Sequence, residues 1–548
     1  MGISNLGFQL VYAQLGAHEE TVCERFFLPL PGEPLRSLES GRPLSDFSLL
    51  FFSISFEHDY LNLVRILAVA GISAYSAQRG AVIEPGSPLV ACGGVATFLN
   101  PEPLAPFIDL FLLGEAEGIL TPLLEELVGV EKRHRSEFLR LLAERVPGAY
   151  VPSFYIPGYD GLNRFTGYDR QPFAPERIKK VVHKDGTVAA HSELLTPEAE
   201  FSDLYLTELG RGCSRGCRFC AAGFIYRPPR LWGSEAVLQG LEQRPQGVDR
   251  IGLLGMEMAG DESLNRISRY LMDSGCALSF SSLRADRISG TLGELLGSSG
   301  LKSVAIAPDG ASERLRRVIN KGLDDHDLLT AAETLARAGL YRLKLYLMIG
   351  LPTETDEDID ELIEMIRRIK ERISPIGRKR GRLLEISLSV NSFTPKPWTP
   401  FQYHPFGISE RLAPGELRPA AEAVANVEKR LQFLRNAIKK ESNVQITCDK
   451  PARELFQAVL SRGDRRLAPV LYDMVMSQTN WKQALKKNGL CPEQFAVRGY
   501  GPDEPLPWEI VDHGISPGYL WQEYERAFME KTTKPCDTRI CKRCGVCP

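Results

Sequence analysis

No stretch of the 548 residues approaches the ~18 consecutive apolar residues of a membrane-spanning helix. Met1 to Gly7 lack the basic start and apolar core of a secretory signal. Leu6 stands where a myristoylation signal at Gly2 wants Ser or Thr. The expectation is a cytoplasmic protein with no membrane partner. An excess of one charge is missing too. Lys and Arg number 66 against 69 Asp and Glu, a net of −3. That balance gives no overall pull toward nucleic acid, although Arg378, Lys379 and Arg380 form one basic stretch. A disulfide pattern is also absent. Seven of the 12 cysteines fall in two tight clusters, while Cys23, Cys92, Cys276, Cys448 and Cys491 are scattered. Clusters in a long chain read as metal sites, and scattered cysteines as small buried apolar groups.

What is present suits a soluble α/β protein. Apolar residues make up 43% and charged residues 25%, and the length allows about two to four domains. The most informative segment is Cys213-Ser214-Arg215-Gly216-Cys217-Arg218-Phe219-Cys220. Its three thiolates come from one short loop. A four-iron, four-sulfur cube takes four protein ligands as a rule, so three leave one iron open. A zinc knuckle or three unrelated core thiols are the alternatives, although structural zinc sites favour paired spacings and four ligands.

CxxxCxxC just after a strand, with Phe219 before the last Cys, resembles the radical S-adenosylmethionine (SAM) superfamily. The resemblance implies that the open iron chelates SAM and that one electron from the cluster releases a 5′-deoxyadenosyl radical. Downstream, apolar strands alternate with helical patterns, as parallel βα units do. Strands are expected at Leu204–Leu209, Arg250–Leu254, Leu278–Leu283, Lys302–Ala307, Leu343–Ile349 and Ile386–Asn391. Helices are expected at Asp324–Ala338 and after the N-cap Thr355. Six units resemble the superfamily's (β/α)6 partial TIM barrel, with chemistry at the C-terminal strand ends.

Motifs fall at those ends. Gly255-Met256-Glu257 is similar to the Gly-Gly-Glu motif that meets the SAM amino group. Ser281 and Arg284 stand where polar contacts to SAM are implied, and Asp309 where an acid lies near the ribose. Gly350 and Pro352 sit in a segment like the Gly-x-Pro-x-Glu signature that packs on adenine, and Phe219 would pack beside the cluster. Asn391 to Tyr403 resembles a segment of the methylthiotransferases. Its Phe393, Trp398, Phe401 and Tyr403 either line a substrate mouth, with Lys396 facing an anion, or seal the barrel and a domain interface.

Residues 1–150 show strands at Leu49–Ser53, Pro88–Cys92 and Phe107–Leu113 and helices at Asp59–Ala70 and 118–128. This reads as a doubly wound, Rossmann-like domain. Gly93, Gly94, Gly114 and Glu115 look like those of the cobalamin-binding-type domains ahead of many radical SAM cores, where glycines let a corrin lie against backbone. The usual Asp-x-His-x-x-Gly loop aligns with Gly2 to Gly7, so Ser4 replaces the His cobalt ligand. A domain that only presents substrate is the alternative. Residues 151–200 read as a linker with a hairpin at Val181–Val188, since Asp185-Gly186 suits a tight turn. Residues 201–405 form the expected radical SAM core.

Residues 406–548 read as an α-rich region, with a long helix at Glu416–Lys440 and a basic cluster at Ser461–Arg466 that reads as a solvated, ion-paired turn, with phosphate binding as the alternative. The chain closes with Cys536, Cys541, Cys544 and Cys547. This spacing resembles ferredoxin-type ligation of a complete cube, with zinc as the rival. The whole resembles an uncharacterised radical SAM family with a cobalamin-binding-like N-terminal domain. The implied function is C–H functionalisation by a SAM-derived radical, with cobalamin-dependent methyl transfer as its form and a flavodoxin or ferredoxin as electron donor. A cobalamin-free enzyme modifying tRNA or ribosomal components is the alternative. A two-cluster electron-transfer or scaffold protein is the alternative of another class. The substrate is a small molecule, a peptide or RNA.

Overall fold

The protein is described from a computed structural model covering residues 2–187, 189–198, 200–202, 204–255, 261–280, 282–288 and 290–547. Met256, Glu257 and Ser281 lie outside the described residues. The chain is mixed α/β and folds as two compact units. The first holds Met1–Lys184, Phe456–Phe495 and Asp503–Ile515; the second holds Asp185–Leu455, Ala496–Pro502 and Ser516–Pro548.

The first unit is built on a four-stranded sheet. Strands β1 (Leu49–Ser53), β2 (Leu89–Gly93) and β3 (Leu110–Leu112) run parallel, and β4 (Ala149–Tyr150) pairs antiparallel with β3. Its order is sequential, which corrects the doubly wound expectation. A doubly wound sheet reverses its order and opens a crevice at the reversal; here each strand lies beside its predecessor. Helix α1 (Leu6–Gly16) contributes Leu15 to one apolar core with Leu89, Ala91, Leu110 and the helices Leu120–Leu127 and Arg135–Arg145. Arg79 and Arg135 both reach the buried Asp109, at 2.6 and 3.3 Å.

The expected linker carries structure. β5 (Tyr155–Tyr159) and β6 (Phe165–Arg170) form an antiparallel hairpin. The hairpin expected at 181–188 does not form among its described residues. Val181 is engaged elsewhere: it donates to Leu113 O and accepts from Glu115 N, at 2.9 and 3.0 Å. Asp185 instead caps its own loop, its Oδ1 accepting from Thr187 N at 2.9 Å, and the first unit's leading segment ends at Lys184.

Ser461–Arg466 is also corrected, because its charges are interior rather than solvated. Arg465 pairs with the fully buried Glu102 at 2.7 Å and donates to Tyr150 Oη at 2.7 Å. Arg466 pairs with buried Asp464 at 2.6 Å. These ion pairs hold the unit's interior, where burying a charge is tolerated only with a partner.

The main strands of the second unit form a parallel series in chain order. β7 (Tyr205–Glu208), β8 (Arg250–Leu254) and β9 (Ala277–Phe280) form three strands. β10 (Ser303–Asp309), β11 (Arg342–Ile349), β12 (Glu385–Ser392) and β13 (Val444–Cys448) form four. A parallel bridge between Leu283 and Ile306 joins the two groups. Among the described residues, seven strands rather than six therefore line up. The seventh follows the helix Ala420–Ile438, within the region expected to be α-rich. The four-stranded part alternates buried and half-buried side chains along β10, β11 and β12, so both faces are partly covered.

Candidate active site at the ends of the parallel strands

β7 leads directly into the cysteine loop. Leu209 N donates to Leu254 O at 2.6 Å, and Gly210–Arg211 pairs with Arg230–Leu231, so the loop leaves and returns at fixed points. Behind it, Arg218 N donates to Ile319 O at 3.0 Å and Phe401 N to Arg218 O at 3.2 Å. Asn320 Nδ2 donates to Arg215 O and Gly216 O, both at 3.2 Å. Cys213 and Cys220 are partly covered, Cys217 is buried, and Phe219 is half-buried. Burial raises the Cys217 thiol, opposed by the cations of Lys321 and Arg284. Burial pushes Cys220 up to about 12, with the charges of Cys217 and Cys213 adding to it. Bound iron reverses this preference, because a coordinating thiol is deprotonated outright.

Acids and cations from neighbouring strand ends surround the loop. Arg284 pairs with Asp286 at 2.9 Å and donates to Lys321 O at 3.0 Å. Arg215 meets the same Asp286 at 3.3 Å. Asp309, at the end of β10, pairs with Lys321 at 2.5 Å. Burial raises Asp309, and Lys321 counters it. Gly350 and Pro352 follow β11, and the buried Glu354 accepts from Gly350 N at 2.9 Å and Leu351 N at 3.4 Å. Burial pushes Glu354 up to about 7 despite Arg430 nearby. Asp309, Asn320, Thr353 and Trp398 all take left-handed backbone, with φ of 60°, 53°, 65° and 60°. Each costs of order 1–3 kcal/mol, and such strain gathers at functional sites. For β-branched Thr353 the conformation is a genuine outlier.

Residues 207–366, which carry this loop and five of the seven strands, match the family model of the radical SAM superfamily, and residues 7–152 match the model for radical SAM proteins, N-terminal. The chain belongs to the radical SAM superfamily. That membership implies a four-iron, four-sulfur cluster and SAM. The donor set fits the cluster: three thiols on one loop sense one another's charge, and Arg284 and Lys321 offset the negative charge they carry when ligated. An uncharacterized protein of Methanocaldococcus jannaschii is 28% identical over 83% of this chain and 86% of its own. Two solved structures are similar at lower identity. The cobalamin-dependent radical SAM enzyme OxsB, with aqua-cobalamin bound, is 15% identical, with 65% of this chain and 52% of that chain covered and a TM-score of 0.43. This chain thus spans about half of that protein. The radical SAM methyltransferase TsrM from Kitasatospora setae, with tryptophan and a SAM analogue bound, is 14% identical, with 70% and 72% covered and a TM-score of 0.45.

Sequence reasoning missed two anchors of this radical SAM loop. Arg218 is wholly buried and pairs with Glu523 of the helix Tyr519–Phe528 at 3.1 Å, while donating to Val318 O at 2.8 Å and Lys531 O at 2.6 Å. Arg227 donates to Gly223 O at 2.9 Å and lies over the rings of Phe224 and Tyr519. Burial lowers its pKa, but Tyr519 and Cys544 raise it beyond the ordinary value. An Arg inside the cysteine spacing and another seven residues after it were the available signal. The aromatic segment proves to be packing. Phe393, Trp398, Phe401 and Tyr403 are buried, and Phe401 and Tyr403 pack on Tyr524.

The terminal cysteines come to the same place. Cys536 N donates to Ser214 O at 2.7 Å, and Thr533 N donates to Asn320 Oδ1 at 2.8 Å. A small pocket there is lined by Ser214, Arg227, Tyr519, Cys536, Cys541 and Cys544. Burial first, then Cys541, pushes Cys536 up to about 12. Arg543 Nε donates to Cys541 Sγ at 3.3 Å and holds that thiol below its usual range, against burial. Among the described residues no three His, Cys, Asp or Glu side chains are drawn up to hold a single metal ion.

In the first unit, the residues expected to cradle cobalamin meet at the C-terminal edge of the parallel strands. Asn5 Nδ2 donates to Ser55 Oγ at 2.8 Å, and Ile54 N donates to Gly93 O at 2.9 Å. Gly94 and Gly114 are glycine for another reason than a corrin. At φ of 103° and 129°, a Cβ on Gly94 would strike the Ile54 backbone and one on Gly114 the Val181 backbone. Glu115 accepts from His183 N at 2.9 Å. Gly7 lies in the first turn of α1, and Ser4 just before it leaves a buried Oγ without a hydrogen-bond partner. Gly94 and Gly114 are used by the protein's own backbone.

Proposed function

We propose that this radical SAM enzyme cleaves SAM reductively and functionalises an unreactive C–H bond. The carrying observation is the three-thiol loop at the strand ends, with Arg284, Lys321 and Asp309 beside it. Cys213, Cys217 and Cys220 would hold three irons. When bound, the cluster supplies one electron to SAM, which parts into methionine and the 5′-deoxyadenosyl radical that takes a substrate hydrogen atom. Arg284 and Lys321 place positive charge where the SAM carboxylate and the reduced cluster need it. Asp309, released from Lys321, is the acid suited to ribose hydroxyls. Gly350 and Pro352 offer backbone to adenine, and Glu354 fixes that backbone through two N–H groups. Buried Phe393 and Phe401 keep water from the strand ends.

The electron comes from a one-electron donor of the flavodoxin or ferredoxin class. Cobalamin-dependent methyl transfer is the second reading, favoured by the unpartnered Ser4 Oγ at the strand edge. Gly94 and Gly114 lie against the backbone of Ile54 and Val181 and do not themselves support that reading. An RNA substrate gains nothing from the −3 charge. Reduced, reconstituted protein incubated with SAM should yield 5′-deoxyadenosine. Its absence across a broad substrate panel would sink the proposal, and corrin absorbance after anaerobic purification decides between the two readings.

A further inference from the structure

We infer that the four terminal cysteines hold a second iron–sulfur cube and that this cube is the port through which electrons reach the SAM cluster, the Ser214–Cys536 hydrogen bond being the bridge. The inference rests on the reading of Cys213, Cys217 and Cys220 as the SAM-cluster ligands. Ser214 follows Cys213 directly, and its carbonyl accepts from the amide of Cys536 itself at 2.7 Å. A route from one ligand residue to the other therefore crosses a single hydrogen bond and a few covalent bonds. Asn320 makes the junction rigid, holding Arg215 O and Gly216 O with its amide nitrogen and Thr533 N with its oxygen. Arg227 fills the space between. Its guanidinium borders Gly216 and shares the pocket with Cys536, Cys541 and Cys544. A cation there eases the repulsion between two negatively charged clusters, which electron transfer between them would otherwise increase.

The ligand counts differ as the roles require. Four cysteines close a cube and leave no iron for substrate, whereas three leave one open. The tail thus suits electron transfer alone. Exposure points the same way: Cys541 is partly exposed, and Ile540 beside it is 77% exposed, so a donor protein can reach the tail. In each transfer the donor loses one electron, the tail cube gains it and passes it to the SAM cluster, and no bond or proton changes hands.

The test uses the full chain, reconstituted anaerobically, beside a C541A/C544A double variant and Arg227→Lys. Wild type should carry about eight irons and no zinc, and the double variant about four. In reduced wild type, the SAM cluster's paramagnetic signal should relax fast because a second spin lies close; in the double variant it should relax slowly while keeping its response to SAM. Reduction of the SAM cluster by reduced flavodoxin should lose its fast phase in the double variant and slow in Arg227→Lys, with dithionite reducing all three. One zinc per chain in place of four irons overturns the inference. So does flavodoxin reduction at the wild-type rate in the double variant. A wild-type cluster that ignores SAM would instead refute the proposed function and leave the iron count and spin coupling to judge the port.

Discussion

Arg218, between the second and third cysteines of the radical SAM loop, has its guanidinium locked to the carboxylate of Glu523, 305 residues later in the chain. Neither side chain sees appreciable solvent. Removing one partner of a buried pair leaves a charge with no compensation and costs about 3–5 kcal/mol. Glu523→Leu should therefore lower the melting temperature and release iron from the Cys213 loop faster than wild type. Thermal denaturation and iron retention on a desalting column check both. Wild-type iron retention in that variant would show that the pair does not support the loop.

Glu354 makes stability depend on pH. Its ordinary value is 4.5, and burial pushes it to about 7. Between those values the folded chain holds a proton that the unfolded chain releases. Stability from this group is thus complete at low pH, falls as pH rises through the window by at most about 1.4 kcal/mol per unit, and levels off above about 7. Glu354→Gln keeps an acceptor for Gly350 N and should remove that slope. Denaturant melts from pH 5 to 8 check it; equal slopes in both proteins contradict it.

Gly94→Ala and Gly114→Ala should each destabilise the first unit by more than about 1 kcal/mol, since each forces a Cβ into a left-handed position against backbone. The loss should be the same with and without added cobalamin. A destabilisation that appears only with cobalamin present would restore the corrin role of these glycines.

Asp309 tunes the site electrostatically. Asp309→Asn removes the anion that Lys321 neutralises and leaves the lysine charge acting on Cys217. The SAM cluster should then accept an electron more readily, so its midpoint potential should rise, while affinity for SAM falls. A potentiometric titration followed by electron paramagnetic resonance reads the sign; a lower potential contradicts it.

Much of the second unit was legible in its residues. Arg250–Leu254 was placed to the residue, because apolar runs between turn signals are short and parallel strands are buried. β13 escaped although Val444, Ile446 and Cys448 alternate with Gln445 and Thr447 as in a half-buried strand, because five residues between charged, polar flanks make a short signal. The contact partner of Arg218 was invisible for another reason. A buried arginine announces itself only through a carboxylate hundreds of residues away. Asp185-Gly186 misled because a tight-turn dipeptide specifies a hairpin only when both flanking strands are free to pair, and Val181 is already bonded to Leu113 and Glu115. The glycines at 94 and 114 stand out in the sequence, but what they approach is the chain's own backbone.

The most direct measurement is the electron paramagnetic resonance spectrum of the anaerobically reduced C541A/C544A chain, in which only the Cys213, Cys217 and Cys220 cluster remains, recorded before and after SAM is added. A shifted spectrum, followed by 5′-deoxyadenosine on standing, is the predicted result. A spectrum unchanged at saturating SAM, with all three loop cysteines intact and iron bound, would contradict the account.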